Sequence, residues 1–360
     1  MPSCYLVVVT NLLLELPAQQ SDFSKAGILE CMWDLIIIGA GPVGLAAAIE
    51  AKRAGLRAVV LEKGTIVHTL YRWPKETVFF SEAKNIEIGG HPFPSLSAKP
   101  TRREALQYYR RVAENEELDI RTYTEVTDLY PEPGHFRVSY RDRDGEGGLK
   151  SRFVLVATGY YDNPNRLGVP GEDLPHVRYG LDETLPYWNQ RVVVVGGSNS
   201  AVEAALELYR AGARVTVVHH GPEIRPRVKY WLKPDFENRV KEGSIKLLLN
   251  ARVRAIAPRE VLVETSSQDS PLRLPSDFVL IHIGYRAVDG LLRRAGVAYQ
   301  GDAPVLSEAY ETSLEGLFVA GSAGYGTDTR TVFIENGREH ARRAVQEMVA
   351  RMQSASGVIV

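Results

Sequence analysis

Cysteine is almost missing from this chain of 360 residues. Only Cys4 and Cys31 carry thiols, and both fall within the first 31 positions. There is no Cys-x-x-Cys pair and no cysteine or histidine cluster with metal-ligand spacing. That excludes a disulfide-stapled scaffold, gives no reason to expect a metal site, and points to a reducing, cytoplasmic setting. A charge excess is absent too: 43 Lys and Arg oppose 44 Asp and Glu, for a net charge of -1. Nothing in that balance calls for a nucleic acid partner or broad attraction to acidic lipid. No apolar run reaches the ~20 residues of a membrane span. The nearest, Tyr5 to Leu14, is short, is interrupted by Asn11 and lacks a basic stretch before it, so it is also a poor signal peptide. Residues 1–33 are expected to form an extension outside the fold. The remaining chain is long enough to bury large cores and to form two domains.

What is present is a pair of glycine-rich turns. Gly39-Ala40-Gly41-Pro42-Val43-Gly44 follows the apolar run Leu35 to Ile38 directly. An alanine-rich stretch, Val43 to Gly55, reads as a helix, and a second apolar run, Ala58 to Leu61, ends at Glu62. Strand, tight turn, helix, strand and acid make a dinucleotide-binding pattern. Gly39 permits the turn, Gly41 lets a pyrophosphate approach the backbone, and Gly44 brings helix and strand together. Pro42 opens the helix, whose free N–H groups favour an anion. Glu62 accepts hydrogen bonds from an adenosine ribose and repels a 2'-phosphate. This site therefore suits FAD or NAD, with Lys63 beside it.

The second turn, Gly196-Gly197-Ser198-Asn199-Ser200-Ala201, follows Arg191 to Val195. The next strand, Arg214 to Val218, ends in His219-His220 rather than in an acid, and Arg225 and Arg227 follow. A cationic strand end is what a 2'-phosphate requires. NADPH is expected here, on Gly196, Ser198, Asn199, Ser200, His219, His220 and Arg225, with Lys229 a weaker contact. Ser198 and Ala201 stand where the middle and last glycines would be.

Two such sites predict an α/β chain with two Rossmann-like, three-layer dinucleotide-binding domains. The FAD domain would comprise 34–165 and 286–350, with the nicotinamide domain inserted as 166–285. Ala157-Thr158-Gly159 ends a strand, and Thr158 and Gly159 join the first site. Gly316 to Ser322 would bring the chain back to it. A helix from about Thr331 to Arg351 would aim its N-terminus at the flavin, with Gly321, Ser322, Thr329 and Thr331 near the cofactor. Segments 68–80 and 228–235, rich in aromatics and cations, could line a substrate entrance, although Trp73, Phe79, Phe80 and Trp231 could equally be packed. Hydride transfer needs positioning more than an acid or base, so no catalytic residue is named.

Several longer motifs carry a resemblance. They are Ile38 to Pro42, Phe79-Phe80-Ser81, Ile88-Gly89-Gly90, Pro92-Phe93, Ala157 to Asp162, Trp231 to Asp235 and Phe333 to Gly337. With these the chain resembles the thioredoxin-reductase-like flavoproteins, and within them the bacillithiol disulfide reductase (YpdA-type) family. The resemblance implies FAD, NADPH, a homo-oligomer (dimer or tetramer) and reduction of a low-molecular-weight disulfide. It also implies a redox cysteine at the position of Val43, which valine cannot replace. The alternative is a ferredoxin or flavodoxin NADP reductase of the same general type, which needs no cysteine. The acceptor would then be a small redox protein rather than a small-molecule disulfide.

Overall fold

Where Ile, Leu and Val run together between a glycine turn and a charged strand start, a computed structural model of the chain shows buried parallel strands. It describes residues 32–266, 270–287, 290–328 and 330–355. Cys4, Cys31 and Thr329 lie outside the described residues.

The first half runs β1 (Trp33–Ile38), α1 (Pro42–Arg53), β2 (Ala58–Glu62), α2 (His68–Tyr71), α3 (Arg102–Asn115), β3 (Ile120–Thr122), β4 (Glu125–Glu132), β5 (His135–Arg141) and β6 (Glu146–Val156). Trp33, assigned above to the extension, instead opens β1. It pairs with Ser151 and is buried beneath the Arg57 guanidinium, 4.3 Å from its ring. The middle of the chain supplies β7 (Val177–Tyr179), β8 (Arg191–Val195), α4 (Asn199–Arg210), β9 (Arg214–Val218), α5 (Lys233–Lys241) and β10 (Ile245–Leu248). The strands β11 (Ala251–Ala257), β12 (Glu260–Thr265), β13 (Leu272–Pro275) and β14 (Phe278–Ile281) follow. The last part holds α6 (Gly290–Ala295), β15 (Tyr299–Gln300), β16 (Ala303–Pro304), β17 (Leu317–Val319) and α7 (Ile334–Ala355).

One sheet has the order β3-β2-β1-β6-β5-β4, with β17 also paired to β6. The 11-residue β6 does two jobs. Its first half completes an antiparallel ladder with β5, and its second half lies parallel to β1 and β17. Leu35, Ile37, Phe153 and Leu155 face α1, α3 and α7. Ile36, Ile38, Val154 and Val156 face the other way, towards β4, β5 and α6. Burial on both faces explains why the strand sequences are continuously apolar. A second sheet has the order β10-β9-β8-β14-β7, all parallel. It carries α4 and α5 on one face and the small sheet β11-β12-β13 on the other. Both sheets are three-layer Rossmann-like units.

The chain passes between the sheets twice, and the two passes lie side by side. Pro164 bridges Tyr285 antiparallel, Asn165 N–H donates to the Gly284 carbonyl (2.9 Å), and Arg286 N–H donates to Asn163 (3.0 Å). Tyr161 stacks on Tyr285 at 4.7 Å and 16°. At the far end of the second sheet Asp277 accepts a two-pronged contact from Arg191, at 2.7 and 2.9 Å, and a third arginine contact from Arg259. These arginines hold its carboxyl well below the usual carboxylate range. Among the described residues no helix is long and apolar enough to cross a membrane.

Candidate functional site: two dinucleotide cradles

The first glycine turn sits at the carboxyl ends of β1 and β6, where open α/β sheets bind ligands. Gly39 has φ 107°, a conformation that favours glycine. A Cβ there would meet the Ala157 carbonyl oxygen at 2.7 Å and Thr158 Cα at 3.3 Å. A Cβ on Gly44 would run into the Gly39 carbonyl oxygen. Around Gly41, by contrast, a Cβ would meet nothing within 4 Å. Two glycines close the turn, and the one between them faces open space. Helix α1 begins there with Pro42 at its first position, no side-chain cap and no acid in its first turn. Uncapped N–H groups beside an open glycine fit a pyrophosphate.

Glu62 is buried at the end of β2, and its carboxylate is already oriented. Oε2 accepts from Ala40 N–H and Oε1 from Gly64 N–H, both at 2.8 Å. Each oxygen keeps a further lone pair for a ribose hydroxyl. Lys63 turns outward and pairs with Asp162 at 2.8 Å, and Arg72 approaches the same carboxylate at 3.5 Å. The ring of His68 packs against Gly64, with a buried Nδ1 that has no protein partner. The sequence reading placed His68 and Arg72 in a segment lining the site and Asp162 in a motif, but not their pairing. Asp162 is 99 residues from Lys63, and no spacing rule links them.

The late segment closes this cradle. Strand β17 pairs with β6, and the short helical turn 321–324 follows it. Gly321 has φ 72°, and a Cβ there would lie 3.2 Å from a Val43 methyl. Ser322 Oγ is 3.9 Å from the corresponding point on Gly159. Gly39, Val43, Thr158, Gly159, Gly321 and Ser322 thus form one continuous lining. Helix α7 starts at Ile334, three residues later than the Thr331 start read from the sequence. The reason is local: Asn336 accepts from Phe333 N–H at 2.7 Å and donates to the Thr331 carbonyl at 2.7 Å. Thr331 is exposed just ahead of the helix.

The second turn is also tightly built. Gly196 has φ 143°, and a Cβ there would strike the His282 carbonyl oxygen but stand 3.1 Å from Ala201 Cβ. Ser198 is its N-cap without a side-chain bond, so the amides over Asn199 and Ser200 lack a side-chain cap. Asn199 Oδ1 instead accepts from Lys229 N–H at 2.8 Å, and Arg225 N–H donates to the Gly197 carbonyl at 3.0 Å. The basic segment is thereby tied to the turn. His220, Arg225 and Arg227 are exposed. His219 is buried, its ring packed under Gly197 and Gly221. Burial, with help from His220 and Arg225, lowers its basicity. It supports the turn from below, while His220 and Arg225 face outward.

The two aromatic segments divide. Phe79 is buried and Trp73 packs on it at 5.1 Å. Phe80 and Trp231 are exposed, and α5 begins only at Lys233. Burial raises the pKa of both Tyr160 and Tyr161, which keeps these hydroxyls protonated near the crossing. Among the described residues no group of three or more His, Cys, Asp or Glu could hold a metal.

A family model for pyridine nucleotide-disulphide oxidoreductases matches residues 36–321. The chain is 38% identical over 319 residues to the bacilliredoxin reductase Bdr of Bacillus subtilis, covering 88% of this chain and 97% of that protein. It superposes on bacillithiol disulfide reductase Bdr (YpdA) from Bacillus cereus with a TM-score of 0.86 at 38% identity, over 89% of this chain and 99% of that one. A ferredoxin–NADP reductase of Ignicoccus hospitalis is 26% identical over 298 residues, 81% of this chain and 90% of that protein. The chain belongs to the pyridine nucleotide-disulphide oxidoreductase family, as a thioredoxin-reductase-like flavoprotein closely related to the bacillithiol disulfide reductases.

Proposed function

We propose that this flavoprotein takes hydride from NADPH and passes the electrons from FAD directly to an acceptor, without a protein thiol between them. The observation that carries this is the packing at Val43. Relatives of the bacillithiol disulfide reductase type are expected to hold a working cysteine there. Here two methyl groups fill the position, against Gly321 and Gly337, and the described residues contain no cysteine at all. FAD is assigned to the cradle of Gly39, Gly41, Pro42, Gly44 and Glu62, and NADPH to Gly196, Ser198, Asn199, Ser200, His220 and Arg225. When bound, the flavin supplies a two-electron carrier. The protein's part is to align the two dinucleotides and to exclude water.

Two acceptor classes balance the reaction. With a low-molecular-weight disulfide, NADPH, one proton and the disulfide give NADP+ and two thiols, the reaction suggested by the name of the Bacillus cereus relative. With a one-electron redox protein, NADPH reduces two molecules and releases NADP+ and one proton, as the name of the Ignicoccus relative suggests. The filled position at Val43 favours the second. A homo-oligomer, dimer or tetramer, belongs to the same reading and is tested by light scattering. The decisive experiment is anaerobic reduction of the purified protein by NADPH, followed by acceptors offered singly: bacillithiol disulfide, other small disulfides, ferredoxin, flavodoxin and a quinone. Bleaching of the flavin is expected, with reoxidation by a redox protein and negligible turnover of bacillithiol disulfide. Robust turnover of that disulfide without an added partner refutes the thiol-free route.

A further inference from the structure

One exposed surface patch is made jointly by segments from the two sheets' halves of the chain. Phe80 comes from the loop after α2, and Trp231 from the segment leading into α5. Their rings are stacked, 10° apart in plane with centroids at 5.9 Å. Tyr230 stands edge-on to Trp231 at 4.9 Å. All three are solvent-exposed: Phe80 66%, Trp231 44% and Tyr230 82%. A lone exposed aromatic is ordinary, but three in contact across a domain boundary form an apolar patch that marks a surface for binding.

Two lysines crowd the patch, with Glu203 and Glu82 as the acids near them. The Lys99 ammonium lies 5.3 Å from the Phe80 ring and 5.9 Å from the Trp231 ring. The Lys229 ammonium lies 5.9 and 5.5 Å from the same two rings. Lys99 forms no ion pair among the described residues. Lys229 has only Glu203, at 3.8 Å. Two ammonium groups converge on one pair of rings with only distant acids of the chain beside them, a setting that favours an acidic group from outside.

The patch also lies beside the first cradle. Ser81, next to Phe80, donates to Glu335 in the first turn of α7. Phe79 N–H donates to the Pro100 carbonyl at 2.8 Å, which sets Lys99 alongside Phe80. Gly337, two residues beyond Glu335, touches Val43.

We infer that Phe80, Tyr230, Trp231, Lys99 and Lys229 form a docking surface for an acidic electron-acceptor protein, complete only while the Phe80–Trp231 stack is closed. Open aromatic faces ringed by lysine suit a protein surface better than a small anion, which gains most from an enclosed pocket. The inference rests on the reading above that electrons leave the flavin directly. One NADPH then reduces two one-electron partners, releasing NADP+ and a proton. Because each domain supplies part of the surface, a bound partner selects the closed arrangement of the domains and holds it.

The test uses the full chain loaded with FAD and an acidic [2Fe–2S] ferredoxin, with three readouts: anaerobic flavin reduction by NADPH, steady-state ferredoxin reduction at low and high salt, and reduction of a neutral quinone. Lys99→Glu and Tyr230→Ala lie outside the assigned cofactor contacts. Lys99→Glu is expected to raise the KM for ferredoxin about tenfold and to flatten its salt dependence. Tyr230→Ala is expected to raise KM several-fold at unchanged kcat. Flavin reduction and quinone turnover should stay at wild-type rates in both. An unchanged ferredoxin KM in both variants overturns the docking surface. If NADPH bleaches the wild-type flavin and ferredoxin draws no electrons, docking fails while NADPH-to-flavin transfer stands. If NADPH does not bleach the flavin, the reading beneath it fails.

Discussion

Val43 and Gly337 touch where the first turn of α1 meets the first turns of α7. A methyl carbon of Val43 lies 2.8 Å from the point that a Cβ on residue 337 would occupy, and Gly321 Cα lies 3.4 Å from that point. The β-branched valine cannot swing aside freely, since its rotamers are few. Gly337→Ala should therefore push α7 off the cradle, costing about 1–3 kcal/mol. A lower melting temperature and a lower flavin-to-protein absorbance ratio would register this. Val43→Ala in the same chain should restore most of both, because the two changes act on one contact. If the double variant melts no higher than Gly337→Ala alone, the contact is not the cause.

Glu62 supplies a second expectation. Its two oxygens accept two different backbone N–H groups, and an amide can accept at only one of those positions. Glu62→Gln turns an NH2 group towards an N–H and leaves a buried donor unpaired, at about 1–3 kcal/mol. The variant should purify with little flavin. A fully yellow Glu62→Gln protein would show that this carboxylate does not set the turn.

Nucleotide choice is tested at Arg225. Its backbone is anchored to Gly197 while its side chain is exposed. A charge-assisted hydrogen bond to a 2'-phosphate contributes about 1.5–3 kcal/mol. Arg225→Ala should thus lower kcat/KM for NADPH by roughly 10- to 100-fold, with little change for NADH. His220→Ala should follow the same direction. His219→Ala should instead lower stability, because its ring fills the space beneath Gly197 and Gly221. Equal losses with NADPH and NADH in Arg225→Ala would remove the phosphate role.

Acid sensitivity follows from His282. This residue comes directly after β14, is buried, and has an Nε2 with no protein partner. Burial lowers its pKa from the usual 6.5 to about 4. The unfolded chain therefore takes up a proton below pH 6.5 that the folded one refuses until about pH 4. Stability is full above that window and falls as pH drops through it, by up to about 3 kcal/mol for this one group. His219 and His340, also depressed by burial, add in the same direction. Below about pH 4 the paired carboxylates, such as Asp277, extend the loss. Urea unfolding at neutral and mildly acidic pH should show this slope, and His282→Phe should flatten it. A His282→Phe slope equal to the wild type assigns the acid sensitivity elsewhere.

The parts that could be read in the sequence are those where chemistry and chain order coincide. Gly39, Gly41, Gly44 and Glu62 stand within one strand-turn-helix-strand unit, so local spacing fixes their geometry. The two sheets and the family could be read for the same reason. Contacts made by tertiary folding could not. Nothing in the sequence joins Lys63 to Asp162, or Phe80 to Trp231, since each pair is separated by 99 or more residues. His219 shows the opposite failure. Next to His220 and before two arginines it looks like part of a cationic surface, but just past β9 its backbone pairs with Leu248 and its ring packs under Gly197 and Gly221. Trp33 was missed because the charged Asp34 beside it hides the strand start, which only the pairing with β6 reveals.

The side-by-side crossing at Asn163–Asn165 and Gly284–Arg286 has a consequence for how this protein can be rebuilt. Every strand of the first sheet lies either before the outgoing pass or after the returning one. A chain cut at both passes and rejoined by a short linker would keep that whole sheet and its helices α1, α3, α6 and α7. The excised piece, with its own five-stranded sheet, would have its two new ends next to each other. The polypeptide is in this sense a host with a removable cassette, and, on the NADPH assignment proposed above, donor preference is exchanged by transplanting one uninterrupted stretch of gene.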